Sequence, residues 1–332
     1  MTRVLIFGSG YIVVAIVDYL KRNNNLKFTI ATRSIDEAKK IAKQLDFEID
    51  VEEADVTDEE KCREIVKKSD IVVSMVPPSL HKHILDYCIK EKKHLSVASY
   101  LKDEMKERDQ EAKDAGISCL FEVGLDPGID HIATMHMINE VKKNKGKVQS
   151  LLSLCGGLVA PHCITNPLCY KSSWSVEGPF KAISDAKYLK DGKEVNVKRE
   201  DLLYNEFEIN VNNSICTYHY PNRDSVVYKD IYDIPECKDL YRGTIRFKGF
   251  IENVAAFLDL GLLEQDEDEE VKEMSVLEYI KDKIKDEDSE LKNVSEDIFN
   301  EAKQVLDKKP DLDLVKFANF VTKNKNWNDM DD

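Results

Sequence analysis

The chain has 332 residues, 42% of them hydrophobic, eight cysteines and a formal net charge of −15. That length carries two domains with cores of their own. The acidic balance argues against a duplex nucleic-acid groove or an anionic membrane surface, while leaving room for a local basic pocket that takes a small anion.

The opening segment MTRVLIFGSG lacks the pattern of a signal peptide, and the sequence contains no apolar run of about 18 residues for a membrane span. The cysteines are scattered, with neither a CxxC pair nor metal-ligand spacing, so reduced thiols, no metal site and a cytoplasmic protein are expected. VLIF at 4–7 reads as a buried strand, followed by Gly8-Ser9-Gly10 and a helix over 12–21. FTIA at 28–31 is a second strand. Ser34 with Glu37, and Thr57 with Glu60, form capping-box patterns for the helices after them. A weaker strand is expected at 47–51. DIVVSMVP at 70–77 is a strongly apolar strand ended by two prolines, and 80–90 is helical. Further strands are expected at 94–99 and 117–122, and further helices at 103–115 and 129–142. Continuous apolar strands alternating with amphipathic helices predict an α/β fold, with a Rossmann-type parallel sheet covered on both faces.

The glycines after the first strand fit a dinucleotide loop. Gly8 permits the turn and Gly10 lets backbone N–H groups approach a pyrophosphate, although Val13 stands at the third fingerprint position and predicts looser helix packing. The end of the second strand, Ala31-Thr32-Arg33-Ser34, carries no acid for a ribose 2′-hydroxyl. Arg33 is either a solvated loop arginine or a partner for a 2′-phosphate, which favours NADP over NAD. The sequence is expected to divide into a dinucleotide-binding domain at 1–145, an α+β substrate domain at 146–263 and an acidic, mostly helical segment at 264–332.

Within EVGLDPGIDHIA at 122–133, two carboxylates and an imidazole surround a rigid Pro-Gly corner, more chemistry than a turn requires. This stretch, with VLIFGSGYI, IVVSMVP, SVASY, SLCGGLVAPHCITNPLCYKSSWS, YLKDGKEV, YPNRDS and RGTIRFKGF, resembles the NADP-dependent, L-glutamate-forming saccharopine dehydrogenases, also called saccharopine reductases. The blocks run in family order from residue 4 to about residue 263. Homospermidine and carboxynorspermidine synthases share the architecture, but the CGGL, NP, YK and YPNRDS blocks look like the saccharopine branch.

The resemblance implies NADPH-dependent reduction of the imine of glutamate and α-aminoadipate δ-semialdehyde to saccharopine, or the reverse, in lysine metabolism. It implies Asp126 and Cys155 as the active-site carboxylate and thiol, suited to proton transfer at an imine nitrogen. It implies substrate contacts at Ser99, Tyr100, Asn222, Arg223 and Thr244, with Arg246 and Lys171 as weaker cations and Tyr100 open to a core reading. Cofactor contacts are expected at Gly8, Ser9, Gly10, Tyr11, Ile12, Arg33, Asp55, Val56, Ser74, Val76 and Pro77. Partners are expected to be these small molecules, with neither nucleic acid nor membrane, and a homodimer is allowed. Asp130 and His131 are expected to cap the next helix.

The chain departs from the family pattern at Val13, Ala98, Val159, Cys169 and Ser172. If a glycine at 169 supplied positive φ, cysteine there costs roughly 1–2 kcal/mol. The family pattern also continues further than this sequence, so 264–332 is expected to be a shortened end. That leaves two other readings, a catalytically inactive dinucleotide-binding paralogue with a binding or regulatory role and a relative reducing another imine.

Overall fold

A computed structural model describes residues 1–259 and 263, apart from 167, 176–177 and 212–214. The helical expectation for 264–332 lies outside the described residues. The chain divides into two compact units, Met1–Met137 and Ile138–Asp332.

The first unit runs β1 (Thr2–Phe7), α1 (Tyr11–Leu20), β2 (Leu26–Thr32), α2 (Ile35–Leu45), β3 (Asp50–Glu53), α3 (Glu59–Lys67), β4 (Ile71–Ser74), α4 (His81–Glu91), β5 (His94–Val97), α5 (Asp103–Lys106), α6 (Asp109–Asp114) and β6 (Cys119–Leu120), then enters α7 (Ile129–Lys143). The six strands pair in the order β3-β2-β1-β4-β5-β6, and every pairing is parallel. This is the doubly wound order that reverses beside β1, where open α/β sheets bind ligands.

The run VLIF is apolar throughout because β1 is central. Val4 and Ile6 enter one core with Val13, Val17, Phe28, Ile30, Ala38 and Ile41, whereas Leu5 and Phe7 enter the other with Val72, Ile84, Leu85, Leu95 and Val97. Alternate side chains therefore feed opposite faces of the sheet. Outright burial of Ile6 and Phe7 contributes about 1.5–3 kcal/mol each. Val13, expected to loosen helix packing, is buried in the first of these cores.

Several local expectations are corrected. The third strand lies at Asp50–Glu53 rather than 47–51. Phe47 packs edge-on against Phe28 instead. The segment 103–115 forms two short helices, and Arg108 between them bridges Asp86 and Glu111. Neither capping box forms. Ser34 makes no side-chain cap; its N–H donates to Thr32 Oγ1, while Glu37 accepts from Ser9 Oγ. Before α3 the cap is Asp58, which accepts from Lys61 N, because Thr57 is bonded to Asp55.

The second unit contains β7 (Ser150–Cys155), α8 (Gly178–Lys181), β8 (Ala186–Lys190), β9 (Lys193–Val197), β10 (Phe207–Val211), β11 (Ile215–Pro221), α9 (Tyr228–Ile231), β12 (Asp239–Arg246) and α10 (Lys248–Asp259). Its sheet has the order β10-β11-β12-β8-β9, with β7 pairing β12 in parallel and the other pairs antiparallel. Tyr170, Tyr188, Tyr220, Phe250 and Val254 fill its core. A mixed α+β unit thus follows the parallel sheet. Among the described residues no helix is long and apolar enough to cross a membrane.

Candidate functional site

In the first unit the predicted cofactor positions gather at the carboxyl ends of β1, β2, β3 and β4. Gly8 has φ 111, and a Cβ there would lie 2.7 Å from Met75 O, so only glycine fits where the chain leaves β1 beside the end of β4. A Cβ on Gly10 would meet nothing within 4 Å, leaving open space over the helix start. At Gly10, α1 has no side-chain cap, and its first turn holds no acidic residue. Its unpaired N–H groups and dipole favour an anion at that end. Ser9 Oγ sits 2.9 Å from Thr32 Oγ1, which ties the loop to β2. Tyr11 and Ile12 are exposed beside it.

Arg33 follows β2 with its side chain 79% exposed, and its Nη1 lies 3.8 Å from Asp55 Oδ2. No acid ends β2, yet one reaches this position from beyond β3. Hydrogen bonds from the Thr57 hydroxyl and N–H lower the Asp55 pKa, with a smaller contribution from Arg33. Val56 is buried and its carbonyl accepts from the Tyr87 hydroxyl. Val76 packs against the core, and Pro77 is exposed and opens the turn into α4. These features fit a dinucleotide: an open glycine loop at a free helix start, with an exposed guanidinium at the end of the neighbouring strand.

Ser74 ends β4 and is 1% exposed. Its Oγ lies 2.8 Å from His81 Nδ1, and His81 Nε2 lies 3.0 Å from Ser99 Oγ. Burial, helped by the Lys102 charge, pushes His81 down to about 4, so the ring is neutral near pH 7. The sequence reading missed His81. A lone histidine at a helix start offers no periodic or motif signal; only its two serine partners distinguish it.

Tyr100, the residue after Ser99, is half-buried and donates its hydroxyl to Asp126 Oδ1 at 2.8 Å. Asp126 sits in a corner closed by Gly124 N to Pro127 O, with a cis Asp126–Pro127 bond. A Cβ on Gly128 would fall 2.1 Å from Gly124 O, so the corner admits no side chain there. Asp130 lies in the first turn of α7 and accepts from Gly128 N at 2.7 Å. His131 Nε2 lies 3.2 Å from Glu122 Oε2, and Glu122 Oε1 accepts from Leu101 N. The residues around the Pro-Gly corner thus brace one another and the segment that carries Tyr100.

In the second unit three predicted segments meet on β12. Cys155 ends β7 in register with Thr244. From the other side Tyr220 pairs Thr244 and Pro221 pairs Gly243, so Asn222 and Arg223 follow β11 past Gly243, away from Thr244. Asn222 N donates to Arg242 O. Arg223 is exposed and holds φ 55, a left-handed conformation that costs a non-glycine residue about 1 kcal/mol or more. Arg246 is not a surface charge. It is buried, with its guanidinium carbon 5.1 Å from the Tyr170 ring centre and 5.0 Å from that of Phe250, and Nη1 donates to the carbonyls of Gly157 and Ile245. Lys171 is half-buried nearby in sequence, after Tyr170. Cys169 has φ 48, so the position does take positive φ. Among the described residues no group of three or more His, Cys, Asp or Glu side chains is placed to hold a metal.

The family model of the saccharopine dehydrogenase NADP binding domain matches residues 4–120, and that of the saccharopine dehydrogenase C-terminal domain matches residues 124–318. The chain belongs to the saccharopine dehydrogenase family. It is 38% identical over 268 residues to saccharopine dehydrogenase [NADP(+), L-glutamate-forming] of Saccharomyces cerevisiae, covering 80% of this chain and 60% of that protein. It is 36% identical over 267 residues to the mitochondrial alpha-aminoadipic semialdehyde synthase of Bos taurus, covering 80% of this chain and 29% of the synthase. The solved structure of apo histidine-tagged saccharopine dehydrogenase (L-Glu forming) from Saccharomyces cerevisiae matches with a TM-score of 0.75 and 34% identity, over 98% of this chain and 73% of that one. The chain therefore spans about 60% of the length of its curated yeast relative.

Proposed function

We propose that the protein is an NADP-dependent saccharopine dehydrogenase of the L-glutamate-forming kind, joining glutamate and α-aminoadipate δ-semialdehyde through an imine that is reduced to saccharopine, or running the reverse. The observation that carries this reading is the Tyr100–Asp126 hydrogen bond at the ligand-binding edge of a dinucleotide sheet. The names of the family relatives support the same chemistry.

Bound NADPH supplies a hydride to the imine carbon. The protein's own residues handle the proton and the charges. Asp126, held by Tyr100, is the group placed to give and take the proton at the substrate nitrogen, and Cys155 is the second candidate for that task. Arg223, with Asn222 beside it, holds a substrate carboxylate through its planar fork, with Thr244 as a further contact. Ser99 and Tyr100 would be the substrate contacts supplied by the first unit. The loop Gly8–Ile12 takes the pyrophosphate, Arg33 the 2′-phosphate, and Asp55, Val56, Ser74, Val76 and Pro77 form the rest of the cofactor's bed. Among the described residues no two cysteines are joined in a disulfide, which supports a cytoplasmic setting; small-molecule partners and a homodimer belong to the same proposal. An inactive binding paralogue is the weaker reading, because the carboxylate, its tyrosine and the strained arginine are all retained.

The test mixes purified protein with saccharopine and either NADP or NAD and follows the absorbance of the reduced cofactor. Saccharopine-dependent reduction that prefers NADP supports the proposal. No turnover, with cofactor binding intact, favours the inactive paralogue.

A further inference from the structure

The Ser74–His81–Ser99 chain has a direction that the packing determines. Ser74 is 1% exposed, so its hydroxyl proton has no water to receive it. The side chain's hydrogen-bond partner is His81 Nδ1, at 2.8 Å. A buried donor left unmade costs more than a typical hydrogen bond contributes. Ser74 therefore donates, and Nδ1 is the unprotonated, accepting nitrogen. A neutral imidazole carries its single proton on the other nitrogen. Nε2–H then donates to Ser99 Oγ, 3.0 Å away. Ser99 has its acceptor side occupied, and its own hydroxyl proton is left for whatever lies outside.

We infer that His81 is a positioning residue, fixed as the Nε2–H tautomer by buried Ser74, which turns the Ser99 hydroxyl into an outward hydrogen-bond donor for an anionic group of the substrate. The opposite tautomer would make Ser99 spend its proton on the ring and offer only lone pairs, which repel a carboxylate. Ser99 and Tyr100 are consecutive, and the Tyr100 hydroxyl is already given to Asp126. The serine is thus the donor of this pair that stays available. Burial, which holds the ring neutral, keeps a second proton off Nδ1, where it would leave the buried Ser74 hydroxyl without its acceptor. The substrate half of this inference rests on the proposed function; the tautomer half does not.

Two measurements separate them. Nitrogen-15 NMR of the labelled wild-type protein, with the His81 signal assigned by its loss in His81→Gln, reads the tautomer directly. Nε2–H is expected, and Nδ1–H overturns the inference whether or not the protein is active. In saccharopine saturation kinetics, Ser99→Ala is expected to raise KM roughly tenfold to a hundredfold, the range for a hydrogen bond to a charged group, while cofactor affinity by titration stays within about twofold. His81→Leu is expected to raise KM similarly. His81→Gln, whose amide can still donate to Ser99, is expected to recover part of the loss. The Ser99→Ala/His81→Leu double variant should be no worse than the poorer single one, because both act through one hydroxyl. Additive losses, or His81→Gln as poor as His81→Leu, overturn the positioning role. A wild type that turns over no saccharopine defeats the proposed function while the tautomer measurement still judges the first half.

Discussion

The Tyr100 hydroxyl donates to Asp126 Oδ1 across 2.8 Å, tying the segment after β5 to the Pro-Gly corner after β6. The two residues are 26 positions apart and meet because β5 and β6 are parallel neighbours. Asp126→Ala is expected to lower turnover by roughly 10²- to 10⁴-fold, as for an essential acid–base group, with NADPH affinity nearly unchanged. Tyr100→Phe removes the supporting bond and is expected to lower turnover by roughly tenfold. Steady-state kinetics with saturating substrates check both. Wild-type turnover in Asp126→Ala would reduce the corner to packing.

The proposed 2′-phosphate contact of Arg33 predicts a cofactor preference. Its contact with Asp55 is long and exposed, so breaking it gives back little stability. Arg33→Ala is expected to weaken NADPH binding by about 1.5–3 kcal/mol and to leave NADH binding alone, since only the former has a 2′-phosphate. Fluorescence titration with both cofactors decides it; equal losses rule out the 2′-phosphate contact.

His81 predicts a pH signature in stability. Its pKa is about 4 in the folded protein against 6.5 as a free side chain. Below pH 6.5 the unfolded chain takes up a proton that the folded chain refuses. Stability is therefore fully present above 6.5 and falls as pH drops to 4, by roughly 3 kcal/mol in total at full burial. Asp70, held down to about 2 chiefly by its hydrogen bonds from Arg3, adds its loss only below 3.8, outside that window. Urea unfolding at pH 7, 5.5 and 4.5 should show the slope in wild type and a shallower one in His81→Gln. Parallel slopes would mean that the ring takes its proton in place.

Cys169 makes a prediction about stability alone. At φ 48 its side chain is strained, and the turn is held by Cys169 N to Asn166 O and by Asn166 Nδ2 to Tyr170 O. Cys169→Gly relieves about 1–2 kcal/mol of left-handed strain and returns about 0.5–1 kcal/mol through the looser unfolded chain. A net gain of about 0.5–1 kcal/mol in denaturant unfolding is expected. A loss would show that the thiol's contacts outweigh the backbone strain.

Arg223 is expected to govern substrate affinity. Arg223→Lys keeps the charge and loses the fork, so it should raise the saccharopine KM, and Arg223→Ala should raise it further, by a few kcal/mol if the pair is desolvated. NADPH titration should be unaffected. An unchanged saturation curve for Arg223→Ala would remove this residue from the site.

What was legible in the sequence follows from how each feature is encoded. β1 and β4 stood out because central parallel strands are buried on both faces and read as unbroken apolar runs. β3 was misplaced because DVEE is an edge strand with little buried surface, while Phe47 and Ile49 before it supply the apolar signal to a loop. The capping boxes failed because local neighbours, Thr32 before Ser34 and Asp55 before Thr57, compete for the same groups, and because the fold brings Ser9 to Glu37. Asp126, Arg223 and Cys169 were legible as motif positions. The Tyr100–Asp126 bond, the His81 bridge and the burial of Arg246 were not, since each depends on which strands become neighbours.

The left-handed backbone at Arg223 has a consequence for laboratory evolution. A corner chosen only for folding would carry glycine or asparagine there, and nearly any library contains both. Selection for heat tolerance without a demand for turnover is expected to replace Arg223 early, yielding a hardier protein with a weakened grip on its substrate. With the proposed substrate role, durability and recognition would pull in opposite directions at this residue.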